Sequence, residues 1–255
     1  MTRLPFTVHA RLADESGNEL LGRVGTIHTP HGDIQTPAFI PVGTKATVKS
    51  VLPESMQQIG AQAILANAYH LYLQPGSDIV DEAGGLSQFM HWPGPTFTDS
   101  GGFQVLSLGV GFKKILAMDV KGKQDDDVIA EGKDRLAHVD DDGVTFKSHL
   151  DGSLHRFTPE VSMRVQHEIG ADIMFAFDEC TTLLNTRGYQ ERSLDRTYGW
   201  AERCIVEHNR LTEERLHRPY QGLFGVVQGA PWGERNSGPT SICPVNMAPR
   251  LAEGY

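Results

Sequence analysis

Residues 98–104 read Thr-Asp-Ser-Gly-Gly-Phe-Gln, a run that combines several groups able to act on a ligand. Gly101 and Gly102 would let a ligand approach the backbone closely and would offer it amide N–H groups. Asp99, just ahead of them, can accept a proton or an N–H donor, with Ser100 beside it, and Phe103 can stack on a flat ring. The same residues also spell an ordinary Asp-Ser-Gly turn, in which the aspartate would serve only local backbone. A second group is Phe177-Asp178-Glu179-Cys180, which closes the most hydrophobic run of the chain. A carboxylate there is costly unless it binds something, which favours a ligand role for Asp178. Gln228, before Gly229, adds an amide that both donates and accepts, although a glutamine there could simply cap backbone. Asn67, with His70 just after it, ends another apolar run. Acidic acceptors, an amide, open backbone and an aromatic face suit a flat heterocycle. A guanine edge, with adjacent N–H donors beside a carbonyl, matches that set.

Such residues need a scaffold that gathers them, and the apolar runs suggest one. Strands are expected at Ala38–Val42, Ala63–Asn67, Thr96–Asp99, Ile173–Asp178 and Leu223–Gln228, alternating with helix-like stretches. Thr158 should cap one helix, with Pro159 in its first turn, Val161, Val165 and Ile169 along its inner face, and Gly170 as its stop. A second helix should run from about Arg192 to Arg210, with Leu194, Tyr198, Ala201 and Ile205 inside. Asn67, Asp99, Asp178 and Gln228 then all fall at C-terminal strand ends, where a (β/α)8 barrel builds its site. An open doubly wound sheet would also collect ligands there. The barrel is preferred because successive units look alike and no Gly-x-Gly-x-x-Gly follows the first strand.

The flanking stretches read differently. The first 35 or so residues look like strands with tight turns at Gly17-Asn18 and His31-Gly32-Asp33. Residues 112–146 hold two acidic triplets, Asp125-Asp126-Asp127 and Asp140-Asp141-Asp142, and read as a solvated insertion. Ser148 to Ser153 reads as a hairpin turn, and residues 231–255 as an irregular tail after a main domain of residues 1–230. No apolar run approaches the roughly 20 residues of a membrane helix, and the start lacks a secretory core, so no membrane partner is expected. Cys180, Cys204 and Cys243 are scattered and form no Cys-x-x-Cys pair, which points to a reducing, cytoplasmic setting and to no metal or other cofactor held by this chain. The net charge of −9 gives no overall basic footprint for nucleic acid, so an RNA role must rest on particular residues.

Several ordered stretches carry a resemblance: residues 36–44 (Thr-Pro-Ala-Phe-Ile-Pro-Val-Gly-Thr), 66–71 (Ala-Asn-Ala-Tyr-His-Leu), Gly84-Gly85-Leu86 with Phe89-Met90, Thr98–Gln104 and Leu223–Gly229. Over about residues 5–230 the chain resembles the tRNA-guanine transglycosylases, also called queuine tRNA-ribosyltransferases. The resemblance implies a TIM barrel and exchange of the wobble guanine in the tRNA anticodon loop for a 7-deazaguanine, in queuosine biosynthesis. Phe177-Asp178-Glu179-Cys180 is similar to the bacterial form, whose incoming base is preQ1; the eukaryotic form usually lacks that cysteine. By the same resemblance Asp99 is the proton-transferring aspartate and also lies against the base. Ser100, Gly101, Gly102 and Phe103 form the loop around that base, and Asp178 and Gln228 read its edge.

The sequence also departs from the family pattern. The Gly-Gly-Leu segment expected after Gln228 has no counterpart, nor has the Phe-Asp-Cys-Val-Leu-Pro-Thr-Arg stretch with the nucleophilic aspartate. The three cysteines and one histidine that bind zinc in the full-length family are missing as well. About five of the eight strands of a barrel are therefore expected, in a truncated chain inactive on its own. The family's basic RNA surface and most of its homodimer surface also lie in the part without a counterpart. Two rivals stay open: a non-catalytic paralogue that binds a base or scaffolds a partner, and a barrel hydrolase using Asp99 and Asp178 as an acid–base pair.

Overall fold

The computed structural model describes residues 4–105, 137–181 and 185–226. They fall into two compact units, one drawn from residues up to Asp99, Arg164–Met174 and Asn209–Leu223, the other from Ser100–Met163, Phe175–His208 and the residues from Phe224 on.

The N-terminal strands form an antiparallel sheet in the order β1 (Phe6–Ala13), β2 (Glu19–Thr29), β3 (Gly32–Thr36). The turn between β1 and β2 is tied by the Asp14 carboxylate, which accepts the N–H groups of Ser16 and Asn18 at 2.9 and 2.8 Å. β3 pairs with only the second half of β2, from Gly25 onward, so the outer half is a two-stranded ribbon. Every residue of β1 is exposed, and so are Leu20, Leu21 and Val24 of β2.

The second sheet holds β4 (Ile64–Ala66), β5 (Thr96–Thr98), β9 (Ile173–Phe175) and β10 (Gly222–Phe224), in the order β10-β9-β5-β4. The β4–β5 and β5–β9 pairs are parallel, so an α/β chain with a parallel sheet is what forms. These strands are short and apolar, and Ile64, Ala66 and Ile173 are buried. The strand expected at residues 38–42 shrinks to a single bridge, Val42 opposite Leu65. The reason is local: Pro37 and Pro41 have no N–H to give a ladder. Between β4 and β5 lie three short helices, α2 (Ala68–Leu73), α3 (Ser77–Glu82) and α4 (Leu86–Phe89), and a fourth, α1 (Pro53–Gln58), precedes β4.

Helix α5 (Pro159–Ile169) starts as the sequence predicts: the Val161 N–H reaches Thr158 Oγ1 at 3.3 Å, and the first-turn proline needs no donor. Helix α6 (Arg187–Glu214) begins five residues earlier and ends four later than its apolar stripe indicates.

A third sheet, β6 (Ala137–Asp140), β7 (Gly143–Lys147) and β8 (Leu154–Phe157), overturns part of the expected solvated insertion. Residues 112–136, with the first acidic triplet, lie outside the described residues. Residues 137–146 are instead an ordered hairpin with Val144 and Phe146 buried. The second triplet forms its turn, and arginines far along the chain neutralise it. Arg156 grips Asp140 through two N–H groups, at 2.6 and 2.8 Å, and holds that carboxyl down at about 2. Arg196 binds Asp141, and Arg203 the Asp142 carbonyl, while the Trp200 indole donates to the Asp141 carbonyl at 2.7 Å. Beneath the hairpin, Phe146, Phe157, Phe177 and Trp200 form an aromatic chain in which the last pair stacks at 5.0 Å.

Asp172, at the start of β9, has a side chain with no solvent exposure. Its carboxylate accepts the Thr96 N–H at 2.8 Å and meets His31 Nδ1, from the β2–β3 turn, at 2.7 Å. The hydrogen bond that the His31 ring donates to Asp172 raises the His31 pKa above its ordinary 6.5, against the opposing pull of burial. A histidine whose folded value is raised stabilises the fold fully below the unfolded value and loses that contribution as pH rises through the folded one. His31→Gln is therefore expected to lower Tm more at about pH 6 than at about pH 9, as read by thermal denaturation across that range. An equal loss at both would remove the ionic component of this contact.

Candidate functional site

Asp99 follows directly on β5, and its backbone N–H still bonds the last carbonyl of β4, Ala66, at 3.3 Å. Both carboxylate oxygens accept hydrogen bonds from the β4–α2 junction. Oδ1 takes the Ala68 N–H at 3.0 Å and Oδ2 the side-chain amide of Asn67. Asn67 is buried, and its own carbonyl oxygen caps α2 by accepting the His70 N–H at 3.0 Å. The sequence marks Asn67 as a residue able to act on a ligand; the structure uses it to set the plane of the Asp99 carboxylate.

Ser100 turns the chain away from the strand. Its carbonyl accepts the Ser162 hydroxyl at 3.0 Å, and its Oγ donates to Asp178 Oδ1 at 3.1 Å while accepting the Gly102 N–H at 3.3 Å. Gly101 stands at φ +80°, a backbone state in which side chains are strained. Gly102 has no room for one: a methyl there would sit 2.6 Å from the Asp178 carbonyl oxygen and 3.2 Å from its Oδ1. Glycine at 102 thus lets the loop and the Asp178 segment approach backbone to backbone. A helical turn opens at residues 102–105, and Phe103 on it leaves about half its surface (49%) in solvent.

Asp178 lies just past β9, half-buried, and Cys180 two residues on is half-buried too. Burial, and then the Asp178 charge, push the Cys180 thiol above its ordinary value, which keeps it protonated and a poor nucleophile. The structure thus brings together Ser100, Gly102 and Asp178, and it holds Asp99 through Asn67 and Ala68. Gln228 lies outside the described residues. Among the described residues no three of His, Cys, Asp and Glu cluster as metal ligands.

The family model described as queuine tRNA-ribosyltransferase matches residues 18–234. The chain belongs to the queuine tRNA-ribosyltransferase family. A protein of that name from Herpetosiphon aurantiacus is 48% identical over 207 residues, covering 81% of this chain and 44% of the relative. One from a Roseiflexus species is 47% identical over 211 residues, 81% of this chain and 51% of its own. One from Shouchella clausii is 43% identical over 221 residues, 87% of this chain and 49% of its own. The chain thus spans about half the length of the curated relatives it matches.

Two elements of this queuine tRNA-ribosyltransferase relative escaped the sequence reading. Asp172 gives no sign of being a hub, although an acid just ahead of an apolar strand is a signal that could be sought. The polar face of α6, on which Tyr189, Ser193 and Arg196 bond Glu179, is hidden in a helix read by its apolar stripe alone. The substitution Gly102→Ala tests the close approach at residue 102. Overpacking there should cost about 1–3 kcal/mol of stability in chemical denaturation. A variant as stable as the parent would mean that the loop does not lie against Asp178.

Proposed function

We propose that this chain supplies the base-recognition part of a tRNA-guanine transglycosylase, which exchanges the wobble guanine of the anticodon loop for the 7-deazaguanine preQ1. The observation that carries the reading is Asp178, a strand-end carboxylate held by Ser100 Oγ and faced by a glycine that no other residue could replace without clash. A carboxylate so placed suits adjacent N–H donors on a base edge. In the same reading Gln228 meets the carbonyl side of the base, and Phe103, half in solvent, stacks on its face. Base exchange at a ribose needs a proton for the departing guanine and removes one from the incoming base. Asp99, oriented by Asn67 and the Ala68 N–H, is the group we assign to that transfer.

The remaining features of the proposal follow the family. A (β/α)8 barrel is supported by the order β10-β9-β5-β4, which follows chain order without the reversal that marks a doubly wound sheet. Zinc, where the full-length family binds it, has no fitting ligand cluster among the described residues, so no step here is assigned to it. Homodimerisation and a cytoplasmic location belong to the same proposal; among the described residues no helix is long and apolar enough to cross a membrane.

Calorimetry with guanine or preQ1 tests the reading. The parent chain should bind weakly, Asp178→Ala should lose that binding, and Gln228→Ala should reduce it less, because a lost acceptor leaves base N–H groups unpaired. Equal affinity for parent and Asp178→Ala would remove the assignment. In a second experiment the chain is incubated with labelled guanine and tRNA bearing a wobble guanine. No label should enter the tRNA, since the sequence contains no match to the family's nucleophile segment. Label incorporation abolished by Asp99→Asn would place a nucleophile among these 255 residues.

A further inference from the structure

Just beyond β9 the Ala176 N–H still bonds the Phe224 carbonyl of β10 at 2.9 Å, whereas residues 177–180 lie in no strand and need other partners for their polar groups. Helix α6 supplies several of them. The Phe177 N–H points at Cys204 Sγ (3.3 Å). Glu179, with no exposed surface, is bound at every polar position: its N–H reaches Thr197 Oγ1 at 3.1 Å, and its carbonyl accepts the Ser193 hydroxyl at 3.0 Å. One carboxylate oxygen accepts the Tyr189 hydroxyl at 2.5 Å and the other the Arg196 guanidinium. Residues 189, 193, 196 and 197 share one face of a helix, and all four grip a single residue. Arg196 is itself held from the far side by Asp141 of the β6–β7 turn. Burial, and then the bond to Glu179, raise the Tyr189 pKa, so its hydroxyl keeps the proton it donates.

We propose that Glu179 is a positioning residue, clamped by Tyr189, Ser193, Arg196 and Thr197, that sets the orientation of its neighbour Asp178 for base recognition. The proposal rests on the reading of Asp178 as a base-edge reader. The clamp itself does not: a buried carboxylate with two charge-assisted or hydroxyl partners and a bonded peptide on each side has one way to sit. A backbone rotation at 179 would turn Asp178 away from Ser100 Oγ, its donor in the loop. Cys180, on the other side of Glu179, reports on the clamp without any ligand, and fully buried Cys204 is an internal control for unfolding.

The test uses the full chain with Tyr189→Phe, which deletes one hydroxyl, and Ser193→Ala, which frees the Glu179 carbonyl while leaving the carboxylate paired. Alkylation of each cysteine is followed by peptide mass mapping, and guanine affinity by calorimetry. Cys180 should react faster, by roughly tenfold for the loss of one hydrogen bond to a buried charge, with Cys204 unchanged. Guanine affinity should fall in both variants, with Tm lowered by no more than the loss of one buried hydrogen bond. An unchanged Cys180 rate in both would overturn the clamp. A faster Cys180 with undiminished guanine affinity would overturn the positioning role. If the variants lose the shielding of Cys180 but the parent binds no guanine, the clamp stands and the base-recognition reading falls. Should Tyr189→Phe expose Cys204 as well, Ser193→Ala alone decides the outcome.

Discussion

The four-way hydrogen bonding around the Asp172 carboxylate is the contact on which the parallel strands depend. A carboxylate without solvent contact is tolerated only when donors surround it. Here the Thr96 N–H and hydroxyl, the His31 backbone N–H and the His31 ring all point at it. Those donors come from the start of β5 and from the turn that ends β2, so one side chain registers the antiparallel N-terminal sheet against the beginning of the parallel one. Were Asp172 unpaired, the first residues of β5 and β9 would lose the reference that aligns Phe97 with Ile173 and Thr98 with Met174.

Register at the starts of the strands decides what stands at their ends. β4 and β5 are three residues long, and Asn67 and Asp99 each follow directly on one of them. A slip of one residue would exchange inward and outward side chains and separate the Asn67 amide from Asp99. The two ends of the strands thus do different work. Asp172 at the start is enclosed by donors from its own unit and stabilises. At the far ends, Asp99 is oriented by the Asn67 amide and the Ala68 N–H, and Asp178 by the Ser100 hydroxyl.

How far the sequence could be read follows from where its signals were local. The parallel strands and the start of α5 could be found because apolar runs and a cap are written within a few consecutive residues, and Asp99, Ser100 and Asp178 stand out as candidates because a glycine loop and the ends of apolar runs are equally local. The strand at residues 38–42 misled because its apolar pattern outweighed two prolines that remove the ladder donors. The hairpin at residues 137–147 was hidden because three aspartates suggest solvent, and the arginines that neutralise them lie as far away as positions 196 and 203. The clamp on Glu179 was hidden for the same reason. Its four members make sense only once α6 is laid against the end of β9, and no periodicity of apolar residues announces a polar face.

The outer ribbon of β1 and β2 has a consequence for the protein as a colloid. Val24 lies opposite Ala10, Leu12 packs over Gly22, and these residues together with Leu20 put an exposed apolar stripe on a ribbon that no third strand extends among the described residues. Paired backbone with a bare outer edge and apolar side chains is a surface to which other extended chains adhere. What opposes that adhesion at neutral pH is long-range repulsion between like-charged molecules, and the chain carries nine net negative charges to supply it. The acidity that weakened the case for RNA thus acts as a dispersant, and it fades as pH approaches the isoelectric point near 5.6.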